Sequence, residues 1–191
     1  ALLAHVLQAC GRFPSALVGS RVPQWQGNAL VGSGELFVFE ADEYQGKLQH
    51  YQPFGAVLTN VDWDHPDFFP TEAAYQATFV EFLKKVPAGG FVVACYDDAG
   101  VRQVVAAAGL TPEQLVTYGL KQGNVRMVRV WLDEGHWHFS ACDGEEFLGE
   151  FWLKMVGGHN VQNAIGVLAV ARRLGLDLEK VRSAICSFEG T

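Results

Sequence analysis

The sequence predicts an α/β domain: a doubly wound, mostly parallel sheet with a small antiparallel β meander on one edge. Three observations lead to this reading. Short apolar runs of strand length occur at Leu36–Phe39, Ala56–Leu58, Phe91–Cys95 and Leu115–Gly119, and from Ala56 onward they alternate with helical patterns, as parallel strands joined by helical crossovers require. Leu36–Phe39 runs straight into Glu40, and Ala56–Leu58 with Val61 leads into Asp62; ligands of open α/β sheets bind beyond the carboxyl ends of strands. After residue 124 the texture changes to alternating strands joined by tight-turn residues, which marks an antiparallel unit.

The elements follow in chain order. ALLAHVLQACG has apolar residues at Leu2, Leu3, Val6, Leu7 and Cys10, a helical spacing, and Gly11 supplies a stop. A short strand is predicted at Ser15–Val18, followed by a loop over VPQWQGNALVGSGE, rich in turn formers. The two acid-tipped strands come next. Thr71–Val86 reads as a helix with Thr71 as N-cap and an apolar stripe of Tyr75, Phe79, Phe82 and Leu83. Pro87 and the following glycines end it. FVVAC (91–95) reads as a buried strand, Val101–Ala108 as a helix and LVTYG (115–119) as another strand. VRMVRVWLD, GHWHFSAC and EEFLGEFWLKM then form the meander, with turns at Asp133-Glu-Gly and Asp143-Gly. Two helices close the chain, from about Asn160 to Leu174 and from Leu178 to Cys186.

Composition narrows the class. At 191 residues the chain buries a substantial core, and 49% hydrophobic residues exclude disorder. A net charge of −7 argues against nucleic acid or an anionic membrane as the main partner. A nucleoside triphosphate stays compatible with that charge, because metal and backbone amides neutralise it locally. The four cysteines are dispersed and form no CxxC pair. They read as free thiols of a reducing cytosol rather than a disulfide framework or zinc site. No apolar run reaches spanning length, so a cytoplasmic protein is expected.

Glu40, Asp42 and Glu43 follow the first acid-tipped strand; Asp62, Asp64 and His65 follow the second. Carboxylates and an imidazole gathered on one edge suit a hard divalent cation such as Mg²⁺, which takes few protein ligands and fills its shell with phosphate and water. Each acid taken alone reads better as a solvated loop residue or helix N-cap. At the later helix, Asn160 and Asn163 share a face. An amide there matches the donor–acceptor edge of adenine; Asn160 as a simple N-cap and Asn163 as a solvated side chain is the alternative. His136 and His138 lie on a meander strand and are assigned no role.

Three segments, Glu40-Ala-Asp-Glu43, Thr59-Asn-Val-Asp-Trp-Asp-His65 and Gly158-His-Asn-Val-Gln-Asn163, resemble in order and spacing the central ATPase domain of the Mur ligases. These are the ATP-dependent amide-forming enzymes of peptidoglycan precursor synthesis. The resemblance covers essentially the whole chain, read as one domain over 1–191. It implies ATP and Mg²⁺ as cofactors, with Glu40 and His65 as catalytic metal ligands and His159, Asn160 and Asn163 at the nucleotide. The EADE and TNxDxDHPD forms are most similar to the member that joins L-alanine to UDP-N-acetylmuramate. The member attaching a murein tripeptide to the same sugar nucleotide is the alternative. Outside the family the alternatives are a non-catalytic nucleotide-binding module and, last, a metal-dependent phosphohydrolase.

Two departures accompany the resemblance. The family's glycine-rich GKT-type phosphate loop is not in the sequence and is expected immediately before Ala1; the flanking domains that hold the sugar nucleotide and the amino acid are likewise expected outside it. The isolated chain is therefore expected to fold but not to turn over ATP, with Glu40 and His65 near one another. Several sister ligases carry a carbamylated lysine on the helix after the Asp-His segment; here only Lys84 and Lys85 lie at that helix's end, and neither is given the role.

Overall fold

Phe91–Cys95 is the most deeply buried strand of the molecule, with every residue shielded from water. The computed structural model describes residues 1–191. In chain order the elements are α1 (Leu2–Ala9), β1 (Ser15–Val22), β2 (Gly27–Leu30), β3 (Phe37–Phe39), β4 (Gly55–Leu58), α2 (Glu72–Leu83), β5 (Phe91–Cys95), α3 (Ala99–Ala108), β6 (Leu115–Gly119), β7 (Val125–Asp133), β8 (His136–Asp143), β9 (Glu146–Leu153), α4 (Gly158–Arg173) and α5 (Leu178–Ser187). A 3₁₀ turn lies at Pro23–Trp25, and Tyr44–His50 holds two short turns separated by a left-handed kink at Gln45 and Gly46.

A six-stranded sheet runs in the order β4-β5-β6-β7-β8-β9. Its first four strands are parallel and its last three antiparallel. Helices cover both faces, as the apolar runs require. Val92 and Ala94 of β5 join Ala56 and Leu58 of β4 against α2 and α3. Phe91, Val93 and Cys95 point the other way, into a larger core shared with α1, α4, α5 and the meander. Alternation along one strand thus feeds two cores, which explains why β5 is apolar throughout. The meander turns where its turn residues say it should: Glu134 (φ 46°) and Gly135 (φ 81°) both take the left-handed region that a two-residue β7–β8 turn needs.

Two expectations change. Leu36–Phe39 does not lie in the same sheet as Ala56–Leu58. β3 instead pairs in parallel with β1, inside a separate three-stranded sheet of order β2-β1-β3. Strand pairing is a non-local choice, and two acid-tipped apolar runs carry no information about which edge each one joins. The loop expected over residues 22–35 also contains a strand, β2, paired antiparallel with β1. Its residues are only half-buried at best, so no apolar run announces it.

The carboxyl end of β4 is held from two sides. Tyr118 of β6 is fully buried, and its hydroxyl donates to the Leu58 carbonyl at 3.3 Å. One carboxylate oxygen of Asp98 caps α3 through Val101 N–H (2.7 Å) and also accepts Val61 N–H (3.2 Å). A Cβ on Gly100 would sit 2.0 Å from the Val61 carbonyl oxygen. Only glycine lets the first turn of α3 approach the Thr59–His65 loop this closely.

Candidate functional site

Glu40 follows the last residue of β3, so the strand aims it at the end of the small sheet. Its Oε2 accepts the Gly19 amide at 2.7 Å, and a Cβ on Gly19 would lie 3.2 Å from the same oxygen. Its Oε1 is 3.8 Å from the backbone nitrogen of Ala1, at the N-terminal end of α1. A helix N-terminus carries partial positive charge and free amides, which favour a carboxylate here and phosphate oxygens nearby. The Glu40 side chain keeps more than half of its surface exposed, so Oε1 remains open to a ligand.

His65 stands in a denser setting. Its backbone is left-handed, with φ 54°, a conformation that costs energy in any residue but glycine. The surrounding hydrogen bonds specify it. Asp64 Oδ1 accepts the His65 amide (2.6 Å), and the His65 carbonyl accepts from Phe68 and Phe69 (2.9 and 2.8 Å). The imidazole packs on the Tyr44 ring with centroids 4.5 Å apart. Its Nε2 lies 3.7 Å from Glu43 Oε1 and 3.9 Å from Asp64 Oδ2. Glu43 Oε1 accepts in turn from the Tyr75 hydroxyl at 3.1 Å. Tyr75 is buried, its ring set between Phe69 and Phe79. Burial and the neighbouring Glu43 carboxylate push its phenol well above the ordinary range, so it remains a donor at any working pH. Tyr44 donates to Asp67 (2.7 Å), and Asp42 holds Lys47 and the Tyr44 amide. The Lys47 contact keeps the Asp42 carboxyl below the usual carboxylate range.

The Glu43 and Asp64 carboxylates open onto a cavity of about 370 Å³, also lined by Asn60, Asp62, Trp63 and Tyr75. Glu40 and His65, expected side by side, have different partners: Glu40 meets Gly19 and the start of α1, while His65 meets Glu43 and Asp64. Glu43 connects the two along the chain. Glu43 is three residues from Glu40, a Cα reach of at most about 11 Å. No three acids, histidines or cysteines form a ready cage for a cation. The donor set, an open carboxylate and an imidazole flanked by carboxylates, fits hydrated Mg²⁺, which keeps most of its shell for water and phosphate. It does not fit a dehydrated all-protein site.

The third segment reaches the same sheet edge by another route. Helix α4 starts at Gly158 rather than near Asn160, after Gly157 at φ 109°. β4 and β5 run in parallel with Leu58 opposite Ala94, and Gln162 Nε2 touches Cys95 Sγ at the carboxyl end of β5 (2.5 Å). The Gly158–Asn163 turn therefore lies at the edge that also carries Thr59–His65. Asn160 is not the N-cap; its Nδ2 donates back to the Val156 carbonyl at 2.8 Å. His159 and Asn163 are exposed. At the end of α2, Lys84 pairs with Glu81 and Lys85 with the Gln49 carbonyl, away from His65.

The sequence singled out Glu40 and His65 and placed Glu43 only among the acids of that edge, with no functional role for Tyr44 or Tyr75. Tyr75 carried one usable signal. A tyrosine within an otherwise apolar helical stripe must find a partner for its hydroxyl.

Comparison with known proteins gives the family. Residues 21–171 match the family of the Mur ligase middle domain. The UDP-N-acetylmuramate–L-alanine ligase of Myxococcus xanthus is 38% identical over 190 residues, 99% of this chain and 40% of that protein. The enzyme of the same name from Frankia alni is 38% identical over 198 residues, 100% of this chain and 34% of that protein. Among solved structures, the UDP-N-acetylmuramate–alanine ligase of Thermotoga maritima superposes with a TM-score of 0.86 at 25% identity, covering 100% of this chain and 42% of its own. The ligase from Neisseria meningitides that acts with L-alanyl-γ-D-glutamyl-meso-diaminopimelate superposes at 0.87 with 27% identity, covering 100% and 62%. The chain spans about two fifths of the length of the curated relatives it matches. No helix is long and apolar enough to cross a membrane.

Proposed function

The chain belongs to the Mur ligase family, as its middle domain, and on that premise we propose that it is the ATP-binding part of a ligase joining L-alanine to UDP-N-acetylmuramate. The observation that carries the reading is its 38% identity, over 99% of its length, to a relative of that name. The chemistry proposed is a two-step acyl transfer. The substrate carboxylate attacks the γ-phosphoryl group of ATP, releasing ADP and leaving an acyl phosphate. The amine of L-alanine then adds to the acyl carbon, and the tetrahedral adduct collapses with loss of phosphate.

The first step brings two anions together, so positioning and charge neutralisation dominate its barrier. Bound Mg²⁺ supplies Lewis-acid neutralisation of the phosphoryl and carboxylate oxygens. Glu40 and His65 are the residues proposed to hold it. Glu40 offers its open carboxylate oxygen beside the α1 N-terminus, where phosphate oxygens are also favoured. His65 presents its imidazole against the Tyr44 ring and beside Glu43 and Asp64, whose carboxylates line the cavity. Asn163, exposed at the same sheet edge, is proposed to read the exocyclic amine of adenine, with His159 and Asn160 shaping the turn that presents it.

A single substitution tests the metal role. In the polypeptide carrying this chain at the length of its relatives, Glu40→Gln keeps the shape and the Gly19 contact but removes the charge. The expected result is a large fall in kcat with an unchanged circular dichroism spectrum. Near-wild-type turnover at saturating Mg²⁺ overturns the assignment of Glu40.

A further inference from the structure

We propose that Tyr75 is a positioning residue for His65, acting through Glu43; the inference rests on the reading of His65 as a cation ligand. The three side chains come from three elements. His65 lies in the loop after β4, Glu43 in the loop after β3, and Tyr75 on α2. Those loops leave two different sheets, so no strand pairing fixes their spacing. The Tyr75 hydroxyl supplies the missing link. It donates to Glu43 Oε1, the oxygen that also lies 3.7 Å from His65 Nε2.

The arrangement is directional. Tyr75 cannot move, because its ring is buried between Phe69 and Phe79 on a helix that packs in the second core. Glu43 can move: it is a loop residue with no cap contact of its own. Its carboxylate has rotamer freedom that only a fixed donor removes. With Glu43 held, one face of Nε2 meets a stationary negative charge, while the Tyr44 ring, tilted 34° to the imidazole at 4.5 Å, limits its rotation. The imidazole is thereby restricted in both rotation and tautomer. Outer partners of this kind orient ligating histidines, and their loss typically weakens metal binding by 10–100-fold. Phenylalanine at position 75 would fill the same volume without the donor, so the packing of α2 predicts nothing about the hydroxyl.

The test uses the 191-residue chain, ¹⁵N-labelled, with His65 assigned by His65→Gln. Imidazole nitrogen shifts report the tautomer, and broadening by added Mn²⁺ reports cation contact. In Tyr75→Phe the His65 nitrogen shifts should move toward those of a mixed tautomer, and the Mn²⁺ needed for half-broadening should rise roughly tenfold. Glu43→Gln, which leaves the core untouched, should do the same, and adding Tyr75→Phe to it should change little more. Phe79→Leu, which perturbs the packing around Tyr75 but keeps its hydroxyl, should leave the nitrogen shifts in place. Unchanged His65 nitrogens in Tyr75→Phe or in Glu43→Gln overturn the proposal, as does an equal shift in Phe79→Leu. If Mn²⁺ fails to broaden His65 in the unsubstituted chain, the cation reading falls instead, and the nitrogen shifts still decide whether Tyr75 positions the ring.

Discussion

Replacing Gly100 by alanine tests how the Thr59–His65 loop is held. The new Cβ would lie 2.0 Å from the Val61 carbonyl oxygen, 3.0 Å from its carbon and 3.1 Å from the Val61 Cβ. A close carbon–oxygen contact is about 3.3 Å, so α3 and the loop must separate by about 1.3 Å along that line. Neither gives easily. Val61 is buried in the core, and Asp98 ties its amide to the α3 cap at 3.2 Å. Overpacking of this kind costs about 1–3 kcal/mol, and losing the hydrogen bond to a charged acceptor costs about 1.5–3 kcal/mol. Better helix propensity returns about 1 kcal/mol. The net destabilisation is therefore about 1.5–5 kcal/mol, at roughly 2–4 °C of Tm per kcal/mol for a chain this size. Thermal melts followed by circular dichroism read it directly. Gly89→Ala is the control, since a Cβ there meets nothing within 4 Å. Equal Tm values for Gly100→Ala and Gly89→Ala would refute the claim that α3 clamps the loop.

Three further outcomes are expected. Burial holds the His5 pKa below its ordinary value. The unfolded chain therefore binds more protons near pH 6, and stability should fall as pH drops through 6.5; His5→Gln should flatten that part of a stability–pH curve. Asn163→Ala should raise KM for ATP and weaken discrimination against GTP, by about 1–3 kcal/mol for one lost contact; unchanged use of both nucleotides makes Asn163 a surface residue. Calorimetry of the isolated chain with Mg-ATP should show no low-micromolar binding, because a carboxylate and one imidazole make only a weak Mg²⁺ site and neither donates to the triphosphate's oxygens.

Local signals decided what the sequence could reveal. The unbroken apolar run of β5 announces a strand covered on both faces. The Asp-Glu-Gly and Asp-Gly turns announce the meander, because their left-handed residues leave little choice of connection. Capping chemistry placed α2 at Thr71, whose hydroxyl does accept the Ala74 amide. What stayed hidden is non-local. Nothing in Phe37–Phe39 says that it pairs with β1 rather than β4, and the half-buried β2 has no periodicity to detect. The same limit applied at the site. Glu43 and His65 are 22 residues apart and leave different sheets, so their approach depends on Tyr75 and the α2 packing. Asp98 lies just past β5, and one of its oxygens serves both a helix cap and the loop that carries His65.

The account stands or falls on what the polypeptide carrying this chain joins together. Purified at the length of its relatives and supplied with ATP, Mg²⁺ and UDP-N-acetylmuramate, it should release phosphate only when an amine is added. L-Alanine should support turnover far better than the murein tripeptide, with one amide formed per ATP consumed. Preference for the tripeptide would contradict the substrate assignment, and phosphate release that ignores every amine would contradict the ligase reading itself.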